Sequence, residues 1–245
     1  MGARLVQITM KAHDDATLGA FWAEVLGWEV SSEGPGVTNL EPANFGYPDP
    51  AAACVDLIKS AEPKVGKNRV HVDLATTSAG HHAELVAKVL GLGAKRVDVG
   101  QGDVSWTVLA DPEGNEFCVL DWRDPTPGTG PIASVAVDCA DPEAMARFYS
   151  EAMGWTVHKT NDQSAALRSA AGVGPYLQFL RTPDAKNGWN RVHLDLRPYP
   201  EDDLEVEAGR LRKLGATDID LDDSDIRWKV LADPEGNEFC LLTPG

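Results

Sequence analysis

The sequence has no run of about 18 apolar residues, the length a helix needs to cross a bilayer, so no membrane span is expected. It has no cluster of lysine or arginine either. Lys and Arg total 22 against 38 Asp and Glu, for a formal net charge of −16. A nucleic-acid binder needs a basic stripe to neutralise phosphates, so neither nucleic acid nor an anionic membrane is an expected partner. The N-terminal MGARLVQITMKAHDD lacks the apolar core of a signal peptide, and a cytoplasmic protein is expected. Cysteine is scarce. The four, at 54, 118, 139 and 240, form no CxxC pair and read as reduced, buried thiols. No G-x-S-x-G elbow, P-loop or GxGxxG occurs, so nucleophile-elbow hydrolases and the common nucleotide binders find no support.

What the chain does have is a repeat. VLADPEGNEFC runs from Val108 to Cys118 and returns from Val230 to Cys240, an offset of 122. NRVHVDL (68–74) answers NRVHLDL (190–196) at the same offset, and Trp106 answers Trp228. FWAEVLGW (21–28) answers FYSEAMGW (148–155) at an offset of 127. The first half therefore carries five extra residues between Trp28 and Asn68, placed in the loop-like EPANFGYPDP (41–50). The halves join at RDPTPGTGP (123–131), whose prolines and glycines read as a linker.

In the second half, IASVAVDC alternates as a strand does, and DPEAMARFYSEAMG follows as a helix. Asp141 suits its N-cap, Pro142 its first turn and Gly154 its C-terminal cap. WTVHKT, SAALRSA and PYLQFLRT are candidate strands. RVHLDL places Val192, Leu194 and Leu196 on one face and Arg191, His193 and Asp195 on the other. Residues 201–214 form a second helix, and IRWKVLA and NEFCLLT close as a hairpin around D-P-E-G, a type I turn sequence. Each half thus reads β-α-β-β-β twice, an α+β pattern.

These motifs, in this order and twice over, resemble the vicinal oxygen chelate superfamily of glyoxalase I, bleomycin-resistance proteins and extradiol dioxygenases. The resemblance covers nearly the whole chain and is nearest to tandem glyoxalase-like proteins. It implies two glyoxalase-like domains, residues 1–123 and 131–245 with a linker at 124–130. Each is made of two βαβββ modules forming a half-open barrel around a cleft. In metal-dependent members, positions on the first, fourth, fifth and eighth strands hold the ion. The matching residues here are Gln7, Asp56, His71 and Cys118 in the first half, and Ser134, Gln178, His193 and Cys240 in the second. The usual Glu of the eighth strand is Cys in both halves, which counts against the common metal chemistry.

The first-half set is the better ligand list, so a divalent metal, zinc or iron, is expected there if anywhere. His71 and His193 are the candidate catalytic bases. Arg69 and Arg191 are candidates for anchoring an anionic ligand group; pairing with surface acids is the other reading. Gln178 is a candidate ligand contact, and Trp106 and Trp228, expected on a strand of the cleft sheet, are candidates for stacking on a flat ligand. Two functions stay open. One is a cleft that binds a small aromatic or amphipathic metabolite or antibiotic without a metal. The other is a metal-dependent lyase, isomerase or dioxygenase-like enzyme with its site in the first half. Either way the partner is a small molecule, bound by a monomer with paired domains or by a homodimer.

Overall fold

The computed structural model describes residues 2–221 and 226–245. Four β-α-β-β-β modules follow one another. The first holds β1 (Arg4–Ala12), α1 (Asp15–Leu26), β2 (Glu29–Gly34), β3 (Val37–Glu41) and β4 (Cys54–Lys59). The second holds β5 (Val70–Leu74), α2 (Ala79–Gly91), β6 (Lys95–Arg96), β7 (Thr107–Ala110) and β8 (Glu116–Val119). The third holds β9 (Ile132–Cys139), α3 (Pro142–Met153), β10 (Thr156–Thr160), β11 (Ser164–Arg168) and β12 (Tyr176–Arg181). The fourth holds β13 (Val192–Arg197), α4 (Leu204–Leu214), β14 (Thr217–Asp218), β15 (Lys229–Ala232) and β16 (Glu238–Leu241).

Local chemistry sets the helix ends. Asp14 and Asp141 cap α1 and α3 by accepting from the N–H three residues on, at 3.0 and 3.1 Å. Gly27 and Gly154 end the same helices at φ 66° and 67°, left-handed values that a residue with a Cβ adopts at a cost of about 1 kcal/mol.

The modules assemble into two eight-stranded sheets. Sheet A has the order β14-β15-β16-β13-β1-β4-β3-β2, and sheet B the order β10-β11-β12-β9-β5-β8-β7-β6. The central joints are antiparallel, β1 against β13 and β5 against β9. Sheet A therefore combines the first and fourth modules, and sheet B the second and third. Neither sheet closes. The α+β class and the tandem module pattern agree with the sequence. The partners do not, because each cleft takes one module from each half. Aromatic side chains fill the space between the sheets. Trp22 of α1 meets Phe117 of β8 at 5.2 Å between ring centroids, and Tyr149 of α3 meets Phe239 of β16 at 6.3 Å.

The repeated D-P-E-G-N turn is a fastener as well as a hairpin. Asp111 accepts from the N–H groups of Glu113 and Asn115, both at 2.9 Å, and from Trp22 Nε1 at 3.2 Å. Glu113 accepts from the N–H groups of His13 and Asp14 at 2.7 and 2.9 Å, and from Arg191 at 2.7 Å. Arg191 also donates to Asn115 Oδ1 at 3.0 Å and to the Glu62 carbonyl at 2.9 Å. In the other half Glu235 takes the N–H groups of Ala140 and Asp141, and Arg69 lies 3.6 Å from it. Arg69 donates to Asn237 Oδ1 at 3.2 Å and to the Asp184 and Asp138 carbonyls at 2.9 and 2.7 Å. Each arginine thus ties one half to the turn of the other. The guanidinium forks of Arg69 and Arg191 are thus engaged by turn side chains and backbone carbonyls, the pairing alternative of the sequence reading. Both border a third cavity, lined from the segments 62–69 and 184–191, and neither lines cleft A or cleft B on the sheets.

Candidate functional site: two clefts with a His-Asp-Cys cluster in each

Each sheet curves around a cleft. Cleft A, on sheet A, has a volume of about 470 Å³ and includes Gln7, Asp56, His193, Asp195 and Cys240. Cleft B, on sheet B, has a volume of about 660 Å³ and includes His71, Asp73, Cys118 and Gln178. The set Gln7, Asp56, His71 and Cys118 is therefore not one site. Gln7 and Asp56 stand with His193 and Cys240, whereas His71 and Cys118 stand with Ser134 and Gln178. The division follows from β1 pairing with β13 and β5 with β9.

In cleft A, β13 carries His193 and Asp195 on one face, two residues apart, and β16 runs parallel beside them with Cys240. His193 Nε2 lies 3.3 Å from Asp195 Oδ1 and 3.5 Å from Cys240 Sγ. The donor atoms of these three residues all lie within 4.8 Å of one another, and the same holds for His71, Asp73 and Cys118 in cleft B. His71 Nε2 is 3.4 Å from Asp73 Oδ1. A hydroxyl from the central strand engages the far oxygen of each aspartate: Thr9 donates to Asp195 Oδ2 at 2.8 Å, and Ser134 to Asp73 Oδ2 at 2.6 Å. Oδ1 of both aspartates is buried and faces its histidine, with no hydrogen bond of good geometry among the described residues. Asp73 and Asp195 were not in the ligand lists read from the sequence. The signal was the alternation that puts each on the face of its histidine.

The geometry separates two uses of such a trio. In a nucleophilic relay the imidazole uses one nitrogen for the nucleophile and the other for the acid. In cleft A the same Nε2 faces both Cys240 and Asp195, so the trio converges on a point instead of forming a relay. The thiols agree. Burial, and next the nearby Asp195 or Asp73, pushes the Cys240 and Cys118 thiols far above their usual range, the opposite of an activated nucleophile. A cation reverses that penalty by taking the thiolate. One nitrogen, one carboxylate oxygen and one sulfur with a fourth side open match the donor set of a zinc-type centre, in which ligand atoms stand about 3.5 Å apart. The residues therefore fit a divalent ion of the zinc class and suit magnesium or calcium poorly.

The clefts differ in their fourth member. Asp56 of β4 lines cleft A and receives a hydrogen bond from Gln7. Burial raises its pKa to about 6; the Asn39 side chain opposes the rise, and the charges of Asp195 and Glu41 add to it. Its Oδ1 is also buried without a hydrogen-bond partner among the described residues. The equivalent position in cleft B is Gln178, opposite Ala136 as Asp56 is opposite Thr9. In cleft B, burial acts to lower the pKa of His71, but Asp73 and then Asp138 outweigh it and raise the pKa overall.

Trp228 and Trp106 line clefts A and B, 40% and 39% exposed, so each offers a free ring face. They lie one residue before their strands, which start at Lys229 and Thr107, and not on them as the sequence suggested.

Residues 7–120 and 134–242 each match the model of the family described as Glyoxalase-like domain. The chain belongs to this glyoxalase-like family, within the vicinal oxygen chelate superfamily. It is 26% identical over 145 residues to Glyoxalase 1 of Caenorhabditis elegans, an alignment covering 55% of this chain and 48% of that protein. The chain thus spans about half the length of that relative. Glyoxalase I from Zea mays superposes with a TM-score of 0.69 at 18% identity, covering 99% of this chain and 92% of that one. A putative dioxygenase from Bacillus subtilis gives 0.67 at 14% identity, covering 98% and 84%. At these identities the two structures show the fold alone. No described helix is long and apolar enough to cross a membrane.

Proposed function

We propose that this glyoxalase-like protein is a divalent-metal-dependent enzyme that moves a proton next to the carbonyl of a small organic substrate, and that it does so in cleft A. The supporting observation is the convergence of Asp195 Oδ1, His193 Nε2 and Cys240 Sγ, all within 4.8 Å of one another, beside a second buried carboxyl, Asp56. A zinc-type ion held by the three residues would supply Lewis acidity toward a carbonyl oxygen. Asp56, with a pKa of about 6, is ionised at neutral pH yet basic enough to accept a proton from the adjacent carbon and return it. Gln7 orients that carboxylate, and Thr9 holds Asp195 by its far oxygen. Trp228, Trp189 and Val230 offer the substrate an apolar wall. Of the two candidate histidines, this reading gives His193 a place at the reacting centre, as a ligand to the ion, and gives the role of base to Asp56.

Binding without turnover is the reading for cleft B, because Gln178 stands where cleft A has its base. Trp106 and Tyr176 line that larger space and suit an aromatic ligand.

The test combines metal analysis of protein purified without a metal-affinity tag with deuterium exchange. Small 2-oxo compounds are incubated in D₂O, and the C–H signal next to the carbonyl is followed by NMR. Metal bound at one equivalent or more per chain, one equivalent lost in His193→Ala, and exchange abolished in Asp56→Asn are expected. A protein that neither contains nor takes up zinc overturns the reading.

A further inference from the structure

The two clefts carry the same ladder of facing positions across five strands, filled differently. In sheet A the register sets Ser32 beside Asn39, Asn39 beside Asp56, Asp56 beside Thr9 and Thr9 beside His193. Residues paired in this way share one face of the sheet. In sheet B the same positions are Lys159, Ala166, Gln178, Ala136 and His71. The first ladder is closed on itself. Ser32 donates to Asn39 Oδ1, the Asn39 side chain hydrogen-bonds Asp56, and Gln7 donates to the same carboxylate. The second ladder is open. Alanines replace Asn39 and Thr9. The Lys159 ammonium and the Gln178 amide both line cleft B, and neither makes a hydrogen bond or ion pair among the described residues. Cleft B is correspondingly the larger, at about 660 Å³ against about 470 Å³.

The wall around Lys159 is aromatic and fixed. Tyr176 and His158 line it, edge to face, with ring centroids 5.7 Å apart. Beneath Tyr176 lies the buried Arg168, 4.7 Å from the ring centroid. Its fork donates to the carbonyls of Gly174 and Pro127 at 3.0 and 2.8 Å, which pins both the wall and the linker. In cleft A the positions matching Tyr176, His158 and Arg168 hold Cys54, Ser31 and Glu41, so this wall belongs to cleft B and not to the fold. Trp106 lines the same cleft with its ring 39% exposed. Most carboxylates of cleft B are already answered: Glu116 by Lys64 at 2.9 Å, Asp138 by Lys67 at 2.6 Å and Asp73 by Ser134 at 2.6 Å. Asp124 of the linker is left, against the free Lys159 and its neighbour His158.

We infer that cleft B is a binding site for a flat aromatic carboxylate, its ring against Trp106 and its carboxylate on Lys159 and Gln178. The inference rests on the reading of cleft B as a binding cleft, and not on any chemistry in cleft A. Lys159 and Gln178 lie two strands apart, about 10 Å between backbones, and only the methyl of Ala166 stands between them. The flexible lysine stem closes that span. Its ammonium gives the carboxylate a charge-assisted hydrogen bond, and the Gln178 amide gives a neutral one. Trp106 precedes β7, on the far side of β5 and β8 from this wall. The ligand therefore crosses the cleft from the wall that holds the acid to the indole. An aromatic ring stacks on that face, and a saturated ring of the same size does not.

Isothermal titration into the full chain tests this with 2-naphthoate, its neutral isostere 2-naphthamide and the saturated decalin-2-carboxylate. Wild type is expected to bind 2-naphthoate about tenfold or more tightly than either of the others. Lys159→Gln, on an exposed edge strand, should weaken 2-naphthoate about tenfold and leave 2-naphthamide unchanged. Trp106→Leu should weaken both aromatic ligands about three- to tenfold. Trp228→Leu, in cleft A, should leave 2-naphthoate binding as in wild type. Circular dichroism checks that each variant is folded. Absence of 2-naphthoate binding overturns the inference, as does an amide or decalin acid that binds as tightly. So does binding that ignores Lys159→Gln, the result expected if an ion at His71, Asp73 and Cys118 held the carboxylate, or binding lost in Trp228→Leu instead. A protein that takes up no metal but holds 2-naphthoate through Lys159 sinks the proposed function and keeps this site. Exchange that Asp56→Asn abolishes, in a protein that does not bind 2-naphthoate, does the reverse.

Discussion

Asp56→Asn is expected to stabilise the protein at neutral pH while removing its proposed base. Asp56 is 8% exposed, and burial, followed by the charges of Asp195 and Glu41, holds its pKa at about 6 against an ordinary 3.8. Native protein therefore binds the proton more tightly than the unfolded chain. Below about pH 4 both states are protonated and the site costs nothing. Between about pH 4 and 6 the unfolded chain ionises first, so stability falls as pH rises. Above about pH 6 the loss is complete and constant. A difference of about two in pKa corresponds to about 3 kcal/mol, an upper value because Asn39 and Gln7 also contact the carboxylate. An amide is never ionised, so at pH 7.5 Asp56→Asn should gain up to about 3 kcal/mol, a Tm rise of about 6–12 °C. At pH 4 the gain should vanish. Urea denaturation of both proteins at the two pH values, with a chelator present, reads this directly. A variant that is no more stable than wild type at pH 7.5, or equally altered at both pH values, would refute the reasoning. Gain of stability with loss of exchange activity is the trade expected where a site holds a strained charge.

Arg191→Ala should cost about 2–4 kcal/mol in urea denaturation, because it strands Glu113, Asn115 and the Glu62 carbonyl together. A loss below about 1 kcal/mol would remove the turn-to-arginine tie from the account. Residues 1–123 expressed alone should self-associate, since β1 and β5 both lose their partners β13 and β9. A folded monomer of that fragment by light scattering would show that the halves pair internally when separated.

Much of the molecule was legible before its structure. Asp141, Pro142 and Gly154 marked a helix through local capping, and α3 is that helix. The alternation in RVHLDL put His193 on one face and Leu194 on the other; Leu194 is buried and His193 only half-buried, while Asp195 on the histidine's face is buried as well. The D-P-E-G turns close the hairpins at Ala110–Glu116 and Ala232–Glu238. These features depend on residues within one turn or one strand, so neighbours in the sequence suffice to set them. The doubled cysteine was also visible, although its meaning was not. Read against an expected glutamate it argued against a metal, but beside Asp195 and His193 it is a third candidate donor.

Partner choice was decided in three dimensions. RVHVDL and RVHLDL present nearly identical faces, so nothing in either strand says whether β1 should pair with β5 or with β13. The long-range ties of Arg69 and Arg191 to the opposite turns, together with the aromatic contacts between the sheets, favour the crossed arrangement. Once β1 lies beside β13, Asp56 meets His193 and not His71, and Arg4 meets Arg197. The sequence by itself determined the four modules, their caps and turns, and which residue types face a cleft, because those are short-range properties. Only the tertiary structure decided which residues share one, because that depends on pairing strands almost two hundred positions apart.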